Sequence, residues 1–125
     1  MAPDHPARAV RHRWREYTTA SGSNPLREFL AGLTRADRSA VLAEMAAVQR
    51  DGVLAARHLR GDIYEVRAKG DGSIYRVLFA REGRRGQVLL ALSAFQKKTQ
   101  RTPRREIELA GRRLTDWRAR GDGGR

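Results

Sequence analysis

The chain has 125 residues, and its 26 Lys and Arg residues outnumber its 14 Asp and Glu residues, which leaves a formal net charge of +12. That length suffices for one domain with a single core and is short for two. The cationic excess predicts a polyanionic or acidic partner. Because no apolar run approaches the ~20 residues that span a bilayer, we expect a cytoplasmic protein without a membrane partner. With no cysteine and three scattered histidines, we expect neither a metal site nor a cofactor.

The apolar residues define one folded segment of the chain. We predict a single domain over residues 14–119, because no repeat or linker-like stretch interrupts that span. Residues 1–13 are polar and rich in Arg, and residues 120–125 are rich in Gly. Both ends lack apolar periodicity, so we predict that they are mobile tails.

A strand and two helices are the first predicted elements. Residues 14–19 alternate in character, which is typical of a strand. Asn24 followed by Pro25 is typical of a helix start, and apolar residues follow at helical spacing. Thr34 predicts the cap of a second helix, which should end at Gly52.

The second half of the chain predicts three strands and a last helix. Residues 63–68 and 73–80 flank a Gly-Asp-Gly turn with a period of two, which predicts a β-hairpin. Residues 87–95 are almost wholly apolar, as in a central strand covered on both faces. The Thr-Pro pair at 102–103 repeats the cap-then-proline start of a helix. The order β-α-α-β-β-β-α predicts an α+β fold, with a twisted, mostly antiparallel sheet packed by two amino-terminal helices and one carboxy-terminal helix.

Basic residues occur in three groups beside or within the predicted strands. The groups are Arg57, His58 and Arg60 before the hairpin, Arg67 and Arg76 within it, and Lys97, Lys98 and Arg101 after the last strand. In a twisted antiparallel sheet, neighbouring strand ends can gather such residues around one concave surface. Glu65, Arg67 and Arg76 should share one face of the hairpin, because alternate side chains of a strand point the same way.

Such a cationic surface can be interpreted in two ways. Metal-independent RNA cleavage uses the 2′-hydroxyl as nucleophile, and Arg can bind the phosphate oxygens while Lys or His transfers protons. The simpler interpretation is a set of solvated charges or phosphate contacts, with Glu65 as an ion-pair partner of the arginines and His58 as an ordinary loop residue. Phe95 could either pack against the sheet or stack on a base.

Three blocks of sequence resemble the HigB-like branch of the RelE/ParE toxin superfamily, a branch that includes phage-derived relatives. The blocks are residues 57–67, 75–79 and 95–103, and the likeness extends over about residues 14–117. The most specific block is Phe-x-Lys-Lys-Thr-x-Arg-Thr-Pro, at 95–103. The resemblance implies a RelE-like α+β domain.

The resemblance also implies a function. It implies the toxin of a type II toxin-antitoxin system, an endoribonuclease that enters the A site of the 30S subunit, contacts ribosomal RNA there and cleaves the bound messenger RNA. A HigA-like antitoxin with a helix-turn-helix is the implied protein partner. The alternatives are a non-catalytic nucleic-acid-binding module and a toxin-fold complex partner that has lost its activity.

The predicted site combines residues that match the family by position with His58, Arg60 and Arg101, which come from the basic groups described above. The predicted catalytic residues are Arg67, Arg76, Lys97, Lys98 and His58, and the predicted RNA-binding residues are Arg57, Arg60, Phe95 and Arg101. RelE itself has a tyrosine in its carboxy-terminal segment that is held to act as the base, whereas no Tyr follows Tyr75 here. Lys97, Lys98 and His58 therefore remain three candidates for the base.

Overall fold

The computed structural model describes residues 11–97 and 100–121. The elements in chain order are β1 (Arg13–Glu16), α1 (Pro25–Ala31), α2 (Arg35–Asp51), a 3₁₀ turn (Gly52–Ala55), β2 (Arg57–Arg60), β3 (Ile63–Lys69), β4 (Ile74–Glu82), β5 (Val88–Lys97) and α3 (Arg104–Ala119). The predicted α+β class is confirmed, and the structure adds one strand, β2. Most of the two predicted tails lies outside the described residues, so the domain boundaries stay a prediction. None of the described helices is long and apolar enough to cross a membrane.

Local capping groups begin and end the first two helices as the sequence predicts. The Asn24 side chain accepts a hydrogen bond from the backbone N–H of Arg27 at the start of α1. Thr34 accepts one from the N–H of Asp37 at 3.1 Å at the start of α2. Gly52 ends α2 with a φ of 71°, a left-handed conformation that glycine adopts without the strain of a Cβ atom.

The five strands form one sheet in the order β1-β5-β4-β3-β2. β1 pairs with β5 in parallel, beginning with Arg13 opposite Val88, and all other neighbours are antiparallel. The predicted central position of the apolar strand is confirmed, because β5 lies between β1 and β4. A register shift between Leu78 and Phe79 interrupts the β4–β5 ladder.

Helices cover both faces of the sheet. On one face α1 and α2 pack over a core that includes Val41, Met45, Val66, Val77 and Phe79. On the other face α3 packs over a second core, formed by Ile63, Leu78, Leu90, Leu92, Leu114 and Trp117 among others. We call these the α2-side face and the α3-side face of the sheet. Each strand between the two layers therefore contributes alternate residues to the two cores.

β2 is the strand that the sequence pattern did not reveal. Its sequence is Arg-His-Leu-Arg, and three of its four residues are exposed. It therefore lacks the apolar alternation that identifies a half-buried strand. Backbone pairing with β3 at the edge of the sheet holds it in place.

Candidate active site

Beyond the amino-terminal end of α3, the α3-side face of the sheet changes from apolar to charged. Arg67 of β3 pairs with Arg76 of β4, and Arg76 pairs with Phe95 of β5, so these three side chains stand in one row. Glu65 of β3 pairs with Arg57 of β2 and lies on the same face. We call Arg57, Glu65, Arg67 and Arg76 the arginine cluster.

A single carboxylate holds the two hairpin arginines together. The Glu65 side chain is 0% exposed, and its Oε1 accepts a hydrogen bond from Nε of Arg67 at 2.6 Å. Its Oε2 lies 3.9 Å from Nε of Arg76, whose side chain is also 0% exposed. Arg67 keeps 18% of its side chain exposed. The predicted sharing of one face by Glu65, Arg67 and Arg76 is therefore confirmed, and Arg67 is the member of this trio that solvent reaches.

The segment before α3 closes over the cluster. Thr102 donates its hydroxyl hydrogen to Oε2 of Glu65 at 2.5 Å and accepts a hydrogen bond from Nη1 of Arg76 at 3.4 Å. Gln100 accepts from Arg67 twice, through its side-chain oxygen at 2.9 Å and its backbone oxygen at 2.5 Å. Two carbonyl oxygens thus engage the guanidinium donors that point away from Glu65.

Thr102 corrects one prediction and supplies a residue that sequence reasoning missed. The N-cap of α3 is Pro103 and makes no side-chain capping bond. The Thr102 hydroxyl bonds to Glu65 instead, 37 positions away in the sequence. Gln100 was missed as well, because neither residue type signals a contact with a distant strand.

The electrostatics of the cluster centre on Arg76. Burial lowers the pKa of Arg76 from its ordinary value, the charges of Arg67 and Arg57 lower it further, and Glu65 opposes them. Arginine nevertheless stays protonated at neutral pH. Arg76 therefore supplies fixed positive charge that is shielded from water, next to the more exposed guanidinium groups of Arg67 and Arg57. This arrangement can stabilise developing charge on a phosphate. Within residues 11–97 and 100–121, no group of three or more His, Asp or Glu side chains could hold a metal ion.

Three further predicted residues lie next to the cluster. Phe95 is half-buried beside Arg76 and packs against the core under α3. Lys97 follows on the same face of β5 by strand alternation and pairs with Ile74. Arg101 is exposed between Gln100 and Thr102, the two residues that contact the cluster. Lys98, another predicted residue, lies outside the described residues.

His58 and Arg60 are not brought to the cluster. His58 pairs with Tyr64, and their rings lie 5.2 Å apart on the α2-side face. Its Nε2 is 2.7 Å from the backbone oxygen of Gly61. Arg60 lies at the β2–β3 turn, beside α3, where it lines a separate groove.

Comparison with known proteins places the chain in a family. Residues 28–115, more than half of the chain, match the family described as Phage derived protein Gp49-like (DUF891). The chain belongs to this Gp49-like family. Two relatives of this Gp49-like chain are proteins named "Probable endoribonuclease HigB1" from Mycobacterium tuberculosis, strains CDC 1551 / Oshkosh and ATCC 25618 / H37Rv, each 46% identical over 65 residues. The aligned part is 51% of this chain and 50% of each relative, so the chain spans about half the length of these curated relatives. The predicted resemblance to the HigB-like branch is confirmed.

Proposed function

We propose that this chain is the toxin of a type II toxin-antitoxin system, an endoribonuclease that cleaves messenger RNA on the ribosome and thereby inhibits translation. The observation that carries the proposal is the buried arrangement of Arg76 and Arg67 around Glu65 on one face of the sheet. The similarity to proteins named as probable endoribonucleases supports RNA cleavage as the reaction of this cationic site.

In the proposed reaction, the RNA supplies its own nucleophile. The 2′-hydroxyl oxygen bonds to the adjacent phosphorus after losing its proton, and the 5′-oxygen leaves after gaining one, so that a cyclic phosphate remains. The forked guanidinium of Arg67, which solvent reaches, binds the phosphorane oxygens, and the buried charge of Arg76 behind it adds to the stabilisation of their negative charge. Phosphate oxygens would replace the two oxygens of Gln100 on the outer donors of Arg67.

Proton transfer is assigned to a lysine. Lys97 lies on the same face of β5 as Phe95, two residues further along the strand, and lysine is a residue type that can transfer protons. Lys98 follows it directly and is the second candidate. His58 contacts Tyr64 on the opposite face of the sheet, so the geometry favours the lysines over it.

RNA binding is assigned to residues at the rim of the cluster. Arg57 and Arg101 are exposed and can contact flanking phosphates. Phe95, in register with Arg76, can stack on a base next to the scissile bond. The formal net charge of +12 supports docking on ribosomal RNA in the 30S A site.

The proposed toxin requires a partner that neutralises it. The HigB-like family implies a cognate antitoxin, and we propose a HigA-like protein with a helix-turn-helix. The cationic surface of the chain favours an acidic contact region on that partner.

Expression of the chain without its antitoxin tests the catalytic proposal. RNA 5′ ends are mapped after a short induction, and Arg67→Ala is compared with Arg84→Ala, which removes an exposed cation from the β4–β5 turn. We expect cleavage to fall roughly 10²–10³-fold in Arg67→Ala, because a donor to the developing charge is lost, and to persist in Arg84→Ala. Circular dichroism checks that both variants fold.

Other outcomes of the same experiment identify the alternatives. Unchanged cleavage in Arg67→Ala would remove the proposed site. Growth arrest without new 5′ ends would favour a non-catalytic nucleic-acid-binding module, whose affinity for single strands falls with salt at a slope of about −0.7 per phosphate contacted. Neither cleavage nor RNA binding would indicate an inactive complex partner. Cleavage by the purified protein with and without added ribosomes tests the ribosome requirement.

A further inference from the structure

A groove runs between α3 and the turn that joins β2 to β3, away from the arginine cluster. Its volume is about 710 Å³, and its lining residues include Arg60, Ile63, Ile107, Gly111, Arg112 and Leu114. Gly111 lies seven residues beyond the first residue of α3, about 10 Å along the helix axis from the end that meets the cluster. The groove is therefore a second surface, distinct from the candidate active site.

Gly111 is unexplained by packing inside the chain. A glycine within a helix lowers the stability of that helix relative to alanine. A Cβ atom added to Gly111 would meet no described atom within 4 Å, so the fold does not require a glycine there. Its missing side chain leaves the backbone of α3 open to the groove. An outside group can therefore approach the helix closely at this point.

The chemistry of the groove favours an acidic protein segment. Ile63 and Leu114 give it an aliphatic floor. Arg60 and Arg112 are exposed at its rim, and neither forms an ion pair with another residue in the described part of the chain. Arg118, by contrast, is already held by acidic side chains of the sheet and the β2–β3 turn.

RNA fits this groove less well than protein does. Single-stranded nucleic acid is usually held by aromatic rings that stack on its bases, and no aromatic residue lines the described groove. An aliphatic side chain flanked by carboxylates matches both the floor and the unpaired guanidinium groups of Arg60 and Arg112. The acidic residues Asp62 and Glu108 also line the groove, and Asp62 is paired with Arg118.

We propose that this groove binds an acidic segment of the cognate antitoxin, with an aliphatic side chain seated over Gly111 and carboxylates opposite Arg60 and Arg112. The identity of the partner rests on the proposed function. The site itself rests on the open glycine, the aliphatic floor and the unpaired arginines. Because the groove lies apart from the arginine cluster, antitoxin binding and RNA cleavage can be measured independently.

Filling the groove tests the proposal. The full chain is titrated calorimetrically with the purified antitoxin, the product of the adjacent gene, and Gly111→Leu is compared with Ala119→Leu. Ala119 is exposed on the same helix outside the groove, and leucine suits a helix better than glycine does. We expect Gly111→Leu to weaken binding at least about tenfold, because it occupies the place of the anchor, and Ala119→Leu to change it less than about twofold.

A charge reversal gives a second, independent test of the groove. Arg112→Glu places like charge opposite the proposed carboxylates, whereas Arg35→Glu makes the same charge change at the exposed start of α2, on the opposite face of the sheet. We expect at least about tenfold weaker binding in the first variant only. Equal affinities of groove and control variants would overturn the proposal. So would an unsubstituted chain that does not bind the antitoxin, or groove variants that lose RNA cleavage instead.

Failure of the proposed function has a different signature. If the unsubstituted chain binds the antitoxin and cuts no RNA, the catalytic proposal fails while the groove variants still test the binding site. If Gly111→Leu cleaves RNA normally and escapes the antitoxin, both proposals are supported.

Discussion

The α3-side face of the sheet has two halves whose innermost side chains are equally buried and chemically opposite. Under α3, residues such as Leu78 and Leu90 gain free energy by leaving water. Beyond the start of the helix, Glu65 and Arg76 are just as inaccessible and lose hydration that their attraction only partly restores. The fold could close the second half with apolar side chains. We therefore expect the charge of the arginine cluster to serve the proposed function more than the stability of the fold.

Hydrogen bonds reduce the free-energy cost of burying the charged half. Thr102 bridges Glu65 and Arg76, and Gln100 engages the outer donors of Arg67. Each charge in this trio therefore meets a partner of opposite sign or a polar oxygen. The cations are consequently held in place before any substrate arrives, which is what electrostatic stabilisation of a transition state requires.

The largest expected effect on stability comes from breaking the charged half. Glu65→Ala leaves Arg76 buried without the carboxylate, so we expect the free energy of unfolding to fall by about 3–5 kcal/mol. Urea denaturation measures this change in the free energy of unfolding. The control is Glu44→Ala, which removes an exposed acidic side chain from α2. A loss below about 1 kcal/mol, as for an exposed pair, would mean that the two halves do not differ as described.

Converting the charged half into an apolar one should separate stability from activity. The double variant Glu65→Leu with Arg76→Met keeps similar volumes and removes both buried charges. We expect it to unfold at a denaturant concentration near that of the parent chain, and RNA cleavage to drop by roughly 10²–10³-fold. A stable variant that still cleaves RNA at the parent rate would show that Arg76 has no part in the reaction.

Conservative substitutions in the two halves should have smaller effects on stability and RNA cleavage, and these effects should differ between the halves. Leu90→Met preserves apolar volume, so we expect it to cost less than about 1.5 kcal/mol and to leave cleavage unchanged. Arg67→Lys preserves charge and removes the forked geometry that binds two phosphate oxygens, so we expect cleavage to fall with little change in stability. Comparable cleavage by both variants would argue against a specific role for the guanidinium.

The smallest expected effect concerns a hydrogen bond between a tyrosine and a carboxylate on the α2-side face. Tyr75 donates to Oδ2 of Asp37 at 2.5 Å, and this bond together with burial raises the pKa of Tyr75 from 10.0. A raised pKa in the folded state contributes stability that is complete below pH 10 and is lost as the pH rises through the folded value. We expect the unfolding free energy to decline above pH 10, and less steeply in Tyr75→Phe. Chemical denaturation at pH 8 to 11 measures both slopes, and identical slopes would contradict the assignment.

Local patterns predicted most of the fold, and long-range contacts account for what was missed. Asn24 signals a helix start within a few residues, and alternation along β3 places Glu65 and Arg67 on one face. Thr102 and Gln100 reach the cluster across 37 and 33 positions, for which no local pattern exists. The edge strand β2 lacks an apolar face, so only its pairing with β3 reveals it. The catalytic and RNA-binding roles stay predictions.

The parallel pairing of β1 with β5 has a consequence for biosynthesis. Within the described sheet, β1 pairs only with β5, the strand that is made last, since Arg13 stands opposite Val88. During translation β1 cannot pair with β5 until the residues between them have left the ribosome. Pairing of segments so far apart in the sequence also slows folding. A nascent chain that stops before β5 cannot place β1 in the sheet. Premature termination should therefore yield an incomplete sheet that cellular proteases can degrade.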